Sequence, residues 1–424
     1  MSAAGAAGAA PRAALADAGF DPSDFGLDNL PFGIGAPFGA APRPLVAFGD
    51  GVVDLDALAG AKLLDEETLR GATTLNGFLA RGLGAWRAVR ARLRHLLSAA
   101  ASADERAGVA RATLARDAVE LRLPVAIGDY VDFYSSLEHA TNLGRILRPN
   151  GEPLLPNYRH IPIGYHGRSS TVVASGTPVR RPRGQLKPPD AAAPSFGPSR
   201  QLDVELEMGW FAGPGNAHGE PIAADAAREH VFGYVLLNDW SARDIQAWEY
   251  QPLGPFLGKS FATSISPWIV TLDALEPFRV ADPVREPEPL PYLRARESWS
   301  YDVELEMLLQ SAAMRDRGLP PAIVSRTSPR AMYWNLAQQL AHVTSNGATV
   351  RPGDLFGTGT ISGSEPGTQG SFIELTWRGA HPLTLPSGET RAFLEDGDTV
   401  IIRGRAVRGA TRVGFGEVIG TIVG

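Results

Sequence analysis

The sequence predicts a mainly β protein built from a small N-terminal part and a larger C-terminal one, and three observations lead there. From Pro124 onward, turn residues recur every eight to twelve positions between apolar runs such as TVVA, VFGYVLLND, PWIVTL, FIELTW, TVIIRG and VGFGEVIGTIV, the rhythm of an all-β core. Before it, residues 31–65 are short apolar runs broken by Gly and Pro, as in a small β-unit, and Leu75, Leu79, Leu83, Trp86, Val89 and Leu93 then follow at helical spacing. A chain of 424 residues also exceeds the roughly 250–300 at which a single hydrophobic core stops growing, so more than one domain is expected.

In chain order, residues 1–20 are rich in Ala, Gly and Pro, which supply little to bury, and read as a flexible lead. Residues 21–123 form the first domain: the β-unit, the Leu75–Leu93 helix and a second helix in the Ala/Arg-rich ADERAGVARATLA. Residues 124–424 form the second. Its strands are interrupted by one clear helix, YWNLAQQLAHVTSNG, with Gly347 in the C-cap position. Two further helix starts are expected from capping boxes, Ser135 with Glu138 and Ser241 with Asp244.

Composition removes several function classes. A net charge of −6 and a pI near 5.8 leave no basic field for a phosphate backbone, so nucleic acid is not an expected partner. There is no cysteine, which removes disulfides, thiolate metal sites and a cysteine nucleophile together. No run reaches the ~18 apolar residues of a membrane span, and the N-terminus lacks a basic start followed by an apolar stretch. A cytoplasmic protein is expected.

The hexapeptide DVELEM occurs twice, at 203–208 and 302–307. Strand alternation puts Asp203, Glu205 and Glu207 on one face, and likewise Asp302, Glu304 and Glu306. Without context such acids belong on the solvated face of an antiparallel sheet. If buried, they repel unless a hard divalent cation takes their oxygens. The first copy has partners for that. The apolar run VFGYVLL ends in Asn238 and Asp239, and the following helix carries Arg243, Gln246 and Tyr250 on one polar face. The second copy is followed by LLQSAAMRDRG, with nothing comparable, and is read as a solvated face.

GPFLGKS (254–260) imitates a phosphate-binding loop but has three residues between its glycines where four are needed, and Pro255 removes an N–H. Lys259, between Leu257 and Phe261, is either a snorkelling surface lysine or a cation held near a metal to stabilise an oxyanion or enolate. His139 falls in the first turn of the helix expected after Ser135, where the positive helix end disfavours imidazolium and keeps a neutral base available. Asp132 just before it could reach a metal, and Tyr134 and Arg148 could face a ligand. Serine-hydrolase and zincin motifs are missing.

Together, DYVDFYSSLEHATNLG, LLPNYRHIPIGYHGRSS, LDVELEM, LLNDWSARDIQAWEYQPLGPFLGKSFATSISPW, MYWNLAQQLAHVTSNG and RPGDLFGTGTISGSEPG resemble the fumarylacetoacetase (fumarylacetoacetate hydrolase) family, from about residue 20 to the C-terminus. The resemblance implies a small SH3-like N-terminal β-domain, a larger C-terminal mixed β-roll domain with a few helices, and a homodimer. It implies Mg2+ or Ca2+ bound by Asp132, Glu205, Glu207 and Asp239, with a second cation near Asp239, Lys259 and Thr263. It makes His139 the general base, paired with Glu374, and gives Arg243, Gln246 and Lys259 the negative charge to stabilise. Tyr134, Arg148, Tyr165, Gln246, Tyr250 and Thr360 would contact a small β-diketo acid substrate. The implied reaction is hydrolysis of the carbon–carbon bond of fumarylacetoacetate to fumarate and acetoacetate, the last step of tyrosine and phenylalanine catabolism. Ala262 stands where the family pattern leads one to expect glycine. The second DVELEM is likewise not part of that pattern.

Overall fold

A computed structural model describes residues 21–424, so the lead expected over 1–20 lies outside the described residues. The first part is a five-stranded antiparallel sheet in the order Thr113–Ala115, Gly51–Asp54, Arg43–Phe48, Phe32–Pro37, Val119–Arg122. The Leu75–Leu93 series is helical but not one helix. It divides into Asn76–Leu79 and Gly82–Leu96 because Gly82 takes φ +78°, a left-handed conformation that breaks the turn. The Ala/Arg-rich stretch forms the helix Ala103–Ala112, started by a capping box of Ser102 and Glu105.

The larger part carries an eight-stranded sheet. Along it run Gly164–His166, Tyr130–Phe133, Leu355–Gly357, Leu206–Ala212, Val231–Asp239, Thr263–Ile265 and Val172–Ala174, with Val270–Thr271 also paired to Val231–Asp239. A second, five-stranded sheet runs Ala322–Thr327, Glu304–Gln310, Thr399–Arg408, Thr411–Val423, Val179–Arg180. Leu206, Met208, Trp210 and Leu236 of the first sheet share a core with Leu305, Met307, Ile402 and Phe415 of the second. The other face of the first sheet, with Phe211, Val235, Leu237 and Leu355, packs under the N-terminal part. There Phe232 meets Phe32, Phe78 and Trp86 at ring-centroid distances of 5.5, 5.7 and 5.2 Å. At about 0.5–1.5 kcal/mol per aromatic pair beyond burial, these contacts hold the two parts together as packed layers.

Covered on both faces, the eight-stranded sheet buries every residue of Leu206–Ala212 and of Val231–Asp239. An acid on those strands is therefore removed from water. The solvated-face arrangement fails for the first DVELEM for this reason and holds for the second. Glu304 is exposed and pairs with Arg405 at 3.1 Å, Glu306 pairs with Arg326 at 2.8 Å, and half-exposed Asp302 has Arg330 at 3.7 Å.

Four local expectations need correction. FIELTW is no strand: Phe372–Leu375 is a single helical turn, because the Asp203 carboxylate accepts the Phe372 and Ile373 N–H groups at 2.7 and 3.1 Å. The helix after Tyr134 is Leu137–Leu147, capped by Ser136 rather than Ser135, whose hydroxyl instead accepts from Gln339 Nε2 at 2.8 Å. Ser241 starts no capping box. It lies in a short strand paired to Asp203, the helix runs Arg243–Glu249, and Asp244 accepts from Ser199 Oγ and Arg200 N at 2.6 and 2.7 Å. The long C-terminal helix is Leu336–Thr344, opened by a capping box of Asn335 and Gln338. Its C-cap is Ser345, and Gly347, at φ +86°, follows beyond it.

Candidate metal centre and acid–base dyad

Four strand ends converge on one point. Asp132 lies on Tyr130–Phe133, facing Gly357 in parallel register on one side and Tyr165 on the other. Glu207 sits on Leu206–Ala212 opposite Leu237, and Asp239 ends the neighbouring strand opposite Thr263. Glu205, just before its strand, bridges to Ser371. One oxygen from each of Asp132, Glu205, Glu207 and Asp239 can be chosen so that all four lie within 4.8 Å of one another, and all four residues are buried.

Two observations test whether a divalent cation fits. Asp132 Oδ1 and Glu207 Oε1 are buried and have no hydrogen-bond partner among the described residues. Left so, each costs the desolvation of a charged acceptor. Gly357 also leaves room beside them: a Cβ there would stand 2.5 Å from Asp132 Oδ1 and 3.1 Å from Glu207 Oε2. The donors are all carboxylate oxygens, the hard set that Mg2+ and Ca2+ take. Without a cation, burial first and then the neighbouring carboxylates push the Asp132 and Glu207 carboxyls well above their ordinary range.

The cationic side is supplied by the chain. Lys259, 6% exposed, is no snorkelling lysine: its ammonium donates to Asp239 Oδ2 at 2.8 Å and to Glu205 Oε2. Burial favours its neutral amine, but Asp239 and Glu205 outweigh that and raise its pKa above the ordinary lysine range. The ammonium so held has no lone pair to offer, so the side chain enters the site as a positive charge. Arg243 donates from Nε to Asp203 Oδ2 and from Nη1 to Glu205 Oε1, both at 2.8 Å, and reaches Gln246 Oε1 at 3.3 Å. Its buried Nη2 has no partner among the described residues. Burial opposes the Glu205 charge, yet Lys259 and Arg243 hold that carboxyl far below its usual range.

His139, buried in the first turn of its helix, has Nδ1 2.7 Å from Glu374 Oε2. Burial works against the Glu374 charge, but His139, Asn142 and Ser371 outweigh it and hold the carboxyl below its usual range. An ionised Glu374 only accepts, so Nδ1 carries a proton toward it and Nε2 is the nitrogen left for proton transfer. Glu374 also accepts from Ser362 Oγ at 2.9 Å, Ser371 Oγ at 2.7 Å and Asn142 Nδ2 at 3.0 Å.

The remaining residues singled out from sequence are distributed around this centre. Tyr165 donates to Asp239 Oδ2 at 2.8 Å, and Thr263 Oγ1 donates to Asp239 Oδ1 at 3.1 Å. Tyr134 stands edge-on to the His139 ring at 5.3 Å. Arg148 caps its helix and donates to Pro153 O at 2.7 Å, with Nε buried and unpartnered among the described residues. Thr360 is buried in the loop after Leu355–Gly357, whereas Tyr250, at the outer end of its helix, is 40% exposed and accepts from Gln251 Nε2. Sequence reasoning missed Asn142, Ser362 and Ser371. For Ser371 the signal was there, since S-F-I-E has the S-x-x-E spacing of a helix start, and reading FIELTW as a strand hid it.

Fold and site define a β-rich enzyme whose buried carboxylate cluster is flanked by a His–Glu dyad and two cations. The model of the fumarylacetoacetase N-terminal region matches residues 28–124, and that of the fumarylacetoacetate hydrolase C-terminal region matches residues 130–423. The chain belongs to the fumarylacetoacetase family. It is 48% identical over 408 residues to the fumarylacetoacetase of Rattus norvegicus, covering 95% of this chain and 96% of that one. It is 48% identical over 415 residues to that of Arabidopsis thaliana, covering 96% and 97%. Among solved structures, a fumarylacetoacetate hydrolase from psychrophilic Exiguobacterium antarcticum matches with a TM-score of 0.53 at 18% identity, covering 93% of this chain and 99% of that one, a likeness of fold.

Proposed function

We propose that this protein hydrolyses fumarylacetoacetate to fumarate and acetoacetate, the step that ends tyrosine and phenylalanine catabolism. The observation that carries the reading is the convergence of the four-acid group, the His139–Glu374 dyad and the Lys259–Arg243 cations within a chain of this family. Asp132, Glu205, Glu207 and Asp239 would hold Mg2+ or Ca2+, which when bound supplies Lewis-acid polarisation of the diketone oxygens.

The chain's own groups account for the rest. His139 Nε2 takes a proton from water as the water oxygen bonds to the carbonyl carbon next to the alkene. Glu374 keeps the imidazole in that tautomer and stabilises the imidazolium that forms, a role worth typically ~10²–10⁴-fold. Arg243 Nη2 and the remaining Lys259 N–H are donors available to the developing oxyanion and to the enolate. The carbon–carbon bond then breaks with its electron pair leaving on the acetoacetate carbon, which receives the proton back from the imidazolium. Tyr134, Arg148, Tyr165, Gln246, Tyr250 and Thr360 form the substrate contacts in this reading.

The reading includes a domain boundary at 123/124, a second cation near Asp239, Lys259 and Thr263, a cytoplasmic setting and a homodimer. No described helix is long and apolar enough to cross a membrane. The exposed Trp248, Leu253, Phe256 and Leu257 give the surface apolar area that a second copy would cover. The test is a substrate panel of fumarylacetoacetate against acylpyruvates with purified, metal-loaded protein. Fumarylacetoacetate is expected to be the best substrate by more than about tenfold in kcat/KM, or about 1.4 kcal/mol in transition-state binding. A preference for acylpyruvates would reassign the enzyme within its superfamily.

A further inference from the structure

Asp203 opens the first DVELEM, stands two residues before Glu205 and shares none of the four-acid group. It is 0% exposed, and both of its oxygens are committed. Oδ1 accepts from Val204 N at 2.8 Å and Phe372 N at 2.7 Å, while Oδ2 accepts from Arg243 Nε at 2.8 Å and Ile373 N at 3.1 Å. A carboxylate offers about four lone-pair directions, so none remains for a metal or a substrate. What the four donors have in common is where they lead. Phe372 and Ile373 begin the turn that carries Glu374, the partner of His139. Arg243 is the guanidinium that also grips Glu205.

From this we infer that Asp203 is a positioning residue that ties Arg243 and the Glu374 turn into one unit, so that the base dyad and the anion-stabilising cation keep a fixed separation. The inference rests on the functional reading above. Asp302, at the same place in the second copy, is half-exposed with one loose arginine contact, so the hexapeptide alone does not create the link.

Asp203→Asn keeps the shape but must put its NH2 either where Oδ2 meets Arg243 Nε and Ile373 N or where Oδ1 meets Val204 N and Phe372 N, so in either orientation a hydrogen bond to the Glu374 turn is lost. With metal-loaded protein the expected result is a kcat loss of about tenfold to hundredfold, the scale of supporting groups behind a site, with KM and Ca2+ affinity within about threefold. In the Glu374→Gln background the same change should cost less than about twofold more, since the path through Glu374 is already cut. The downfield Nδ1 proton resonance of His139, read by NMR without substrate, should shift or broaden in Asp203→Asn. Asp203→Glu, which keeps the charge but displaces it, should show the same kcat loss. An Asp203→Asn kcat within about twofold of the parent, or losses that multiply with Glu374→Gln, would overturn the inference. So would an unshifted His139 resonance, or failure of both variants to fold, which would assign Asp203 to stability alone. A parent protein inert toward fumarylacetoacetate would instead sink the functional reading, and the resonance would still test Asp203.

Discussion

His139 Nδ1 lies 2.7 Å from Glu374 Oε2, across 235 positions of sequence, with both side chains buried. An imidazole so held has its Nδ1 proton directed at the carboxylate, which leaves Nε2 for proton exchange. His139→Ala should therefore lower kcat by about 10²–10⁴-fold while circular dichroism and the affinity for a non-hydrolysable substrate analogue stay close to those of the parent. Activity retained within about tenfold would remove His139 as the base.

The two copies of DVELEM give a paired comparison. Glu205→Gln and Glu207→Gln remove ligand charge from the buried cluster, so calorimetric Ca2+ affinity and hydrolysis rate should fall together. Glu304→Gln and Glu306→Gln touch only ion pairs with the exposed Arg405 and Arg326, away from the four-acid group, and should shift stability by less than about 0.5 kcal/mol, with turnover unchanged. Equal losses in both copies would mean that the second strand also builds a site.

Much of this was legible in the sequence, and the reasons differ by element. Strand rhythm and the small β-unit came through because apolar runs between turn residues are local signals. The acids of the first DVELEM were legible as a set, but their burial was not, since that depends on what covers the sheet. For the same reason FIELTW misled: an apolar run reads alike as buried strand or helical turn, and the deciding hydrogen bonds come from Asp203, far away in sequence. Ser135 lost its cap role to a long-range partner, Gln339, in the same way. Asn142 and Ser362 reach Glu374 only through the fold and carried no sequence signal.

Gly357 offers a steric test. Gly357→Ala would push a Cβ to 2.5 Å from Asp132 Oδ1, so an acid of the cluster must move, and Ca2+ affinity should drop by at least about tenfold. Gly60→Ala, at a helical position with open space around it, is the control and should be neutral or stabilising by up to about 1 kcal/mol. Matching affinities in the two variants would show that the space beside Asp132 is not needed.

The raised Asp132 and Glu207 carboxyls predict a pH dependence. An acid whose folded pKa lies above its unfolded one holds its proton better in the folded state. The metal-free protein therefore gains stability from these groups as pH falls through the folded values and loses it as pH rises. A cation competes with those protons, so the Tm gain from saturating Ca2+ should be larger at about pH 8 than at about pH 6. A gain that is flat, or larger at the lower pH, would contradict this account of the cluster.

The most direct test of the central claim, that the buried acids serve hydrolysis by holding a divalent cation, is turnover of fumarylacetoacetate before and after exhaustive chelation, with residual metal measured on the same sample. The account predicts a loss of at least about hundredfold, or about 2.7 kcal/mol of barrier, with activity returning on addition of Mg2+ or Ca2+ and not of Zn2+. Undiminished turnover in a sample shown to be free of metal would contradict it.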